Sequence, residues 1–438
     1  MKSSLPDEPH ALAQVLESGS RKPSILASWF ATALWKKILI AMVIGIAAGW
    51  FWPGVGDYVG WLGEIFIRLI RMVIVPLVLV TITSGVASLG SFRKLGSIGV
   101  RAIAMFVGLS VVAACVGIAL AVLFQPGRGA NIGHAASITG LAGSPIGAQL
   151  LGIIPTNPIS AAANGEMLAV IFFSIVVGVG IVCAGEAARP LKDLLAAATS
   201  VMFKIVTGIM EFAPFGVFAL IATAVGKNSS LTYLNVSLLA VAVVCGSLFQ
   251  SLVIHGAVIR FLARLPVWRF LTGATDALLV AFSTGSSSAT LPVAIAVSER
   301  NFGIFESIRS TVLPLGSSIG RDGTALYVSL LAVFAAQVFG IPLHAQDYVR
   351  IVLTASLVAL GTAPVPSASL FMLAAVLSTI AIDDARTALI VGFILPFDSI
   401  FNMVRTVPNA TSNLCVAVTA ARLEGEMDVD RFRRPPER

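Results

Sequence analysis

The chain of 438 residues is far more apolar than a soluble protein, since 57% of its residues are hydrophobic and 12% are charged. This composition excludes an ordinary soluble domain and leaves an integral membrane protein. Lys and Arg number 29 against 22 Asp and Glu, which gives a net charge of +7. The locations of the basic residues along the chain decide whether this excess reflects nucleic-acid binding, an acidic ligand or membrane topology.

Six apolar runs in the first part of the chain are predicted to be ordinary membrane-spanning helices, which need roughly 20 residues each. They lie near residues 38–52, 72–89, 103–124, 168–184, 205–225 and 236–258. Basic residues cluster before the first run and after the second, fourth and sixth, with fewer on the opposite side. The positive-inside bias therefore predicts a cytoplasmic N-terminus and explains most of the +7 without nucleic acid.

Cysteine and histidine offer no metal or catalytic motif. The four cysteines stand singly in apolar runs, and the four histidines are scattered along the chain. Neither a zinc site nor a Ser-His-Asp arrangement can be assembled from neighbours. His255 is predicted to be a packed or interfacial histidine rather than a proton relay. Glu211 is either a buried carboxylate that takes up a proton or a hydrogen-bonded scaffold residue.

Two later apolar stretches are interrupted by small and polar residues. They read AFSTGSSSATLPVAIAV over residues 281–297 and VALGTAPVPSAS over residues 358–369. Each predicts two half-helices that meet at a tip, because irregular backbone at membrane depth must be covered by protein or line a cavity. A pair of such interruptions indicates an inverted repeat with a binding site near the midplane. Two ordinary spans with Gly/Ser kinks are the alternative.

Charged residues occur in two apolar stretches of this region. The sequence GSSIGRDGTALY places Arg321 and Asp322 inside the predicted helix 311–339. Burying such a charge costs roughly 2.5–3.5 kcal/mol on insertion scales, so both residues are functional candidates.

The last apolar stretch, FDSIFNMVRTVPNATSN over residues 397–413, carries a polar stripe. Its members fall within an arc of roughly 80° on one helix. They are Asp398, Asn402, Arg405, Asn409 and Asn413. The stripe predicts a helix that lines a polar cavity, and Pro408 leaves the carbonyl of Val404 without its helical partner.

Five motifs in this order resemble the dicarboxylate/amino acid:cation symporter family, which includes bacterial dicarboxylate and glutamate transporters. The resemblance runs from about residue 36 to residue 421. The motifs are IIPTNPISAAANGEMLAVIFF (153–173), SSSATLP (286–292), DGTALY (322–327), GTAPVP (361–366) and RTVPNATSN (405–413).

The resemblance implies an all-α polytopic membrane protein with eight transmembrane helices and two re-entrant helical hairpins, an inverted-repeat carrier of the elevator type. It further implies a homotrimer in the bacterial inner membrane, with both termini in the cytoplasm. The membrane domain would span 36–422, after an N-terminal segment 1–35 and before a tail 423–438 that we predict to be disordered. Helices 1, 2, 4 and 5 would form the scaffold. The transport domain would contain helices 3 and 6, hairpin 1 (about 268–299), helix 7 (about 310–339), hairpin 2 (about 345–382) and helix 8 (about 386–421).

The resemblance also implies a site. Its expected substrate contacts are Ser286, Ser287, Ser288, Thr324, Gly361, Val365, Asn402, Arg405, Thr406 and Asn409. The positions it relates to ion coupling are Ser110, Ser318, Gly320, Arg321, Asp322, Thr362, Asp398, Asn409 and Asn413. No cofactor is implied beyond Na+ or H+ as the coupling ion.

The residues themselves point to an anionic substrate, because the planar guanidinium of Arg405 can hold a carboxylate bidentately in a low-dielectric site. Amino acid carriers of the family usually have an aspartate at the position of Asn402, where it holds the substrate ammonium. The neutral Asn402 favours acids without an amine, such as succinate, fumarate or malate. A cation-coupled glutamate/aspartate symporter and a passive anion channel are the alternatives. An intramembrane hydrolase is disfavoured, since no His or Lys base accompanies the serines.

Sodium coupling is disfavoured, because oxygen ligands are missing where hard cations need them. Relatives usually have Asn-Met-Asp where this chain has Gly320-Arg321-Asp322, and Phe106 and Leu109 stand where the resemblance places Tyr and Thr. We hypothesise that Arg321 is a tethered cation that replaces sodium and pairs with Asp322 or Asp398. Transport would then be proton-coupled or uncoupled. The alternative is that Arg321 substitutes for the arginine that relatives place at the position of Gly285 or Met403, with sodium still bound through carbonyl groups and Asp322.

Overall fold

The computed structural model describes residues 34–52, 54–88, 92–129, 154–164, 166–227, 231–362 and 368–435. Every regular element in these ranges is helical, apart from one isolated β-bridge between Ile304 and Met427. The prediction of an all-α protein is thus confirmed for the part of the chain that is described.

The first half of the chain forms long apolar helices. They are α1 Leu34–Phe51, α2 Val55–Ser88, α3 Phe92–Phe124, α4 Pro158–Ala163, α5 Met167–Ala184, α6 Arg189–Lys227 and α7 Leu231–Leu248. Two π-helical segments, Phe249–Ile254 and Val258–Leu262, continue α7 on either side of the helical residues His255–Ala257. Each of the six predicted apolar runs lies almost entirely within these elements.

Four stretches of the described residues are long and apolar enough to cross a membrane. They are Ile98–Phe124, Ala169–Ile209, Asn235–Leu262 and Glu306–Val338. A fifth is obtained if the bent pair Leu389–Leu395 and Phe397–Glu424 counts as one span. These helices support a multi-span membrane protein, whereas the expected number of eight spans stays a prediction.

The second half of the chain consists of shorter helices and one long one. They are α8 Val267–Thr284, α9 Ser287–Arg300, α10 Glu306–Ile319, α11 Asp322–Val338, α12 Ala345–Gly361, α13 Ala368–Thr379, α14 Asp384–Glu424 and α15 Val429–Arg433. Only Gly285 and Ser286 connect α8 to α9, and the two helices pack against each other. Helices α12 and α13 also pack together, but their connection, which contains Val365, lies outside the described residues.

The predicted continuous helix 311–339 is wrong in one respect, because it is broken in the middle. Helix α10 ends at Ile319, and α11 begins at Asp322. Gly320 and Arg321 between them have non-helical backbone, with ψ angles of 81° and 41°. Glycine is a poor helix former, and Asp322 is favoured in the first turn of a new helix by its dipole. The break leaves carbonyl groups of the last turn of α10 free to accept other donors.

Helix α14 is the element on which the site is built. Its segments Leu389–Leu395 and Phe397–Glu424 meet at an angle of 79° at Pro396, a residue that cannot donate a backbone hydrogen bond. The helix packs against α3, α8, α10 and α11. Residues 322–336 of α11 are all buried, so this helix lies inside the protein rather than against lipid.

The predicted disorder of the tail is wrong for residues 425–435. Phe432 of α15 packs on Phe302, with ring centroids 5.5 Å apart, and Phe302 stacks on Phe270 at 5.6 Å. The β-bridge joins Met427 to Ile304 just before this contact. Burial of these apolar side chains stabilises an ordered tail despite the charged residues around them.

Glu211 forms an ion pair that links two helices. Its Oε2 lies 2.7 Å from Nζ of Lys37, so the pair links α6 to α1. Lys37 is buried and Glu211 is partly exposed. This contact corresponds to the scaffold alternative for Glu211.

Candidate substrate and coupling site

Arg405 lies at the centre of the buried stripe on α14 and is held by three groups. Its Nε and Nη2 donate to Oδ1 of Asn402 at 3.2 and 2.8 Å. Nη2 lies 3.8 Å from Oδ1 of Asp398, and the guanidinium lies 4.6 Å from the ring centroid of Tyr327. The hydroxyl of Tyr327 donates to the same Asp398 oxygen at 3.0 Å. These contacts orient a guanidinium that is only 2% exposed.

Two atoms of this cluster are buried without a partner among the described residues. They are Nη1 of Arg405 and Oδ2 of Asp398. A buried polar group without a partner costs about 1–3 kcal/mol, and more when it is charged. A carboxylate ligand would supply the acceptor that Nη1 lacks, so the arrangement suits an anion.

Asn402 uses its side-chain oxygen and nitrogen within the protein. Its oxygen accepts from Arg405, and its Nδ2 donates to the carbonyl of Gly285 at 2.8 Å. Gly285 has a φ of +58°, and a Cβ atom at this position would collide with the Asn402 amide. Glycine is therefore required at the tip between α8 and α9, and Asn402 ties that tip to α14.

The serines of this tip have different environments. Ser286 caps α9 by accepting from the amide of Ala289 at 3.4 Å, and Ser288 is exposed. Ser287 is buried, and its hydroxyl accepts from Nη1 of Arg321 at 3.0 Å. The first tip is therefore bound to α14 through Asn402 and to the α10–α11 break through Arg321.

All three nitrogens of Arg321 donate to protein oxygens. Besides the bond to Ser287, Nη2 donates to the carbonyl of Ser317 at 2.7 Å and Nε donates to that of Ser318 at 3.4 Å. The carbonyl end of a helix attracts cations, and the break directs Arg321 toward it. The expected pairing with Asp322 or Asp398 is not found within the described ranges.

Asp322 instead pairs with a residue that sequence reasoning set aside. Its Oδ2 lies 2.9 Å from Nε2 of His255, and its Oδ1 accepts from the hydroxyl of Ser110 at 3.1 Å. This contact was not predicted, because His255 and Asp322 are far apart in the sequence. A histidine in an apolar helix was nevertheless a signal for a buried polar contact.

Helices α11 and α14 approach closely beside this pair. The amide of Gly323 donates to Oδ1 of Asn409 at 2.8 Å. A Cβ atom at Gly323 would collide with the carbonyl of Arg405, so only glycine allows this approach. Asn409 is thereby placed next to the start of α11. It is expected both among the substrate contacts and among the ion-coupling positions.

The other predicted site residues lie near these contacts or at their own helix ends. The hydroxyls of Thr406 and Thr362 donate within their own helices, to the carbonyls of Asn402 and Val358. Asn413 donates to the carbonyl of Leu313 at 3.2 Å, whereas its Oδ1 has no partner in the described part. Thr324, Gly320 and Gly361 are buried, Ser318 is partly buried, and Val365 lies outside the described residues.

A multi-span helical protein that holds a buried arginine, one nitrogen of which has no partner among the described residues, has the features of a membrane carrier for small anions. Sequence comparison agrees. The chain belongs to the sodium:dicarboxylate symporter family, whose model matches residues 34–423.

Named relatives carry two kinds of substrate. The chain is 35% identical over 412 residues to the proton/glutamate-aspartate symporter of Escherichia coli (strain K12), covering 90% of this chain and 93% of that protein. It is 33% identical over 402 residues to the proton/sodium-glutamate symport protein of Bacillus subtilis (strain 168), covering 89% and 92%. It is also 33% identical over 426 residues to the C4-dicarboxylate transport protein of Rhizobium johnstonii, covering 95% and 93%. The prediction of a symporter for dicarboxylates or related amino acids is confirmed at this level.

Proposed function

We propose that the chain carries small dicarboxylates without an amine, with C4 acids such as succinate, fumarate and malate as preferred substrates. The observation that carries this proposal is Nη1 of the buried Arg405, which has no partner in the described part of the chain. One substrate carboxylate accepts from this atom in a charge-assisted hydrogen bond. The amide groups at the start of α9, after Ser286, bind the second carboxylate, as helix N-termini bind anions.

Asn402 supports an acid over an amino acid. Its oxygen accepts two N–H groups from Arg405, so an incoming ammonium group finds that acceptor already occupied. An ammonium buried there would lack its hydrogen-bond partner, which costs binding energy. The named relatives divide between glutamate and C4-dicarboxylate carriers, so the choice depends on this residue.

The carrier works as a homotrimer in the inner membrane by an elevator motion, with both termini in the cytoplasm. Coupling is to protons, or absent, rather than to sodium. Arg321 supports this proposal, because its guanidinium occupies the carbonyl oxygens of Ser317 and Ser318. Backbone carbonyls are ligands that a hard cation would use.

The test is uptake into proteoliposomes that contain purified protein, under separate sodium and pH gradients. We expect succinate to compete with labelled substrate at a concentration at least about tenfold below that of aspartate, a difference of about 1.4 kcal/mol. Asn402→Asp should reverse this order. Aspartate as the better competitor of the wild type would favour the amino acid symporter, and the absence of saturable counterflow would favour a passive anion channel.

A further inference from the structure

Asp322 belongs to a second buried polar cluster, separate from the contacts of Arg405. Asp322 and His255 are both 0% exposed. Besides His255 and Ser110, the amide Nε2 of Gln250 lies 3.5 Å from Oδ2 of Asp322 and 3.4 Å from Nε2 of His255. Two buried atoms here, Nδ1 of His255 and Oε1 of Gln250, have no partner among the described residues.

The helix that carries this cluster is irregular at the same place. His255 lies between the π-helical segments Phe249–Ile254 and Val258–Leu262. Such segments are rare and often mark functional sites, since they shift side chains relative to a regular helix. Gln250 is in the first of them, and both polar side chains reach Asp322.

The surroundings of Asp322 do not suit a sodium ion. Hard cations take several oxygen ligands, whereas imidazole nitrogen suits softer transition metals. The ring of Phe106, which offers no oxygen ligand, packs against the end of α10, since a Cβ atom at Gly316 or Gly320 would lie 2.6 or 2.9 Å from it. On α14, the thiol of Cys415 lies 3.6 Å from the carbonyl of His255.

We propose that the imidazole of His255 takes the place of a bound cation at Asp322, so that this protein closes the position to sodium with its own side chain. The ring N–H supplies the donor that the buried carboxylate needs, and the two residues form a fixed pair on separate helices. Arg321 directly precedes the Asp322 residue that His255 contacts. This proposal rests on the proposed absence of sodium coupling, but not on which carboxylate is transported.

The test compares the melting temperature Tm of the purified full-length protein in sodium chloride and in choline chloride of equal concentration. His255→Ala leaves a polar space beside Asp322, Ser110 and Gln250, which can hold a hydrated sodium ion. We expect sodium to raise the Tm of this variant by about 3 °C more than that of the wild type. The additional Asp322→Asn change should remove the gain, and His344→Ala, at an exposed histidine, should behave as the wild type does.

A second variant keeps the test decisive if His255→Ala does not fold. In the wild-type background, Asp322→Asn should leave the difference between the Tm in sodium chloride and the Tm in choline chloride unchanged, because Asp322 does not bind sodium. Loss of a sodium response in Asp322→Asn would overturn the proposal, as would an absent gain in a folded His255→Ala protein. A rise in Tm on addition of succinate, measured in choline chloride, reports substrate binding separately.

Discussion

Arg321 and Arg405 are both buried in the same polar region, yet their hydrogen bonding differs. Arg321 donates from Nε, Nη1 and Nη2 to oxygens of Ser317, Ser318 and Ser287. Arg405 leaves Nη1 without a partner among the described residues. A guanidinium whose nitrogens are all bound acts as an internal cation, whereas one with a free donor is ready for an anionic ligand. We therefore propose that these two identical side chains have different roles, set by the groups around them.

Removal of Arg405 tests whether this arginine binds the anionic substrate, and it should have the largest effect of the changes considered. Truncating one partner of a buried charge pair costs about 2–5 kcal/mol, so Arg405→Met should weaken succinate binding by roughly 30-fold or more. Arg405→Lys should recover part of the loss, because it keeps the charge without the planar fork. Binding is measured by titration calorimetry. Wild-type affinity in a folded Arg405→Met protein would contradict the assigned role.

Removal of Arg321 tests the internal cation and should change coupling more than substrate binding. Arg321→Met frees the carbonyls of Ser317 and Ser318 for a cation. We expect wild-type uptake to ignore the sodium gradient and uptake by the variant to follow it. Freeing these groups should also lower stability by about 1–3 kcal/mol.

The control for this change is Arg321→Lys, which keeps a positive charge and should stay independent of sodium. Proteoliposome uptake under an imposed sodium gradient provides the measurement. If the wild type and Arg321→Met both respond strictly to the sodium gradient, Arg321 is not a substitute for sodium.

Ser287 offers the smallest expected effect. Ser287→Ala removes one hydrogen bond from the guanidinium of Arg321 and should lower the free energy of unfolding by about 1 kcal/mol. Ser283→Ala is the matched control, since Ser283 is exposed and its hydroxyl donates only within its own helix. Thermal unfolding of both variants is the measurement. Equal stabilities would show that the contact between the first tip and Arg321 contributes little.

Local periodicity made much of the fold predictable. The apolar runs are helices, and the interruption at residues 281–297 lies where α8 and α9 meet at a tip. The polar stripe of α14 is buried, because its spacing follows the helical repeat. The break at Gly320 and Arg321 was not predicted, since an apolar run of normal length gives no sign of two short helices.

The ordered tail and His255 both depend on contacts between residues far apart in the chain, which the local sequence does not predict. Charges around residues 425–435 suggested disorder, but Phe432 meets Phe302 from a distant part of the chain. His255 is packed, as predicted, but its contact with Asp322 on another helix was not foreseen. Such contacts depend on helix packing, which neighbouring residues in the sequence do not report.

The sequence by itself determined a membrane protein, its helices, one interrupted hairpin and the residues that carry charge, because hydropathy and helical period are local properties. Only the tertiary structure decided which charges are paired. It directs Arg321 to the end of α10 rather than to an aspartate and joins His255 to Asp322. Within the described ranges it also leaves Nη1 of Arg405 without a partner. The physical reason is that a hydrogen bond forms over about 3 Å, so the arrangement of separate helices selects its partners.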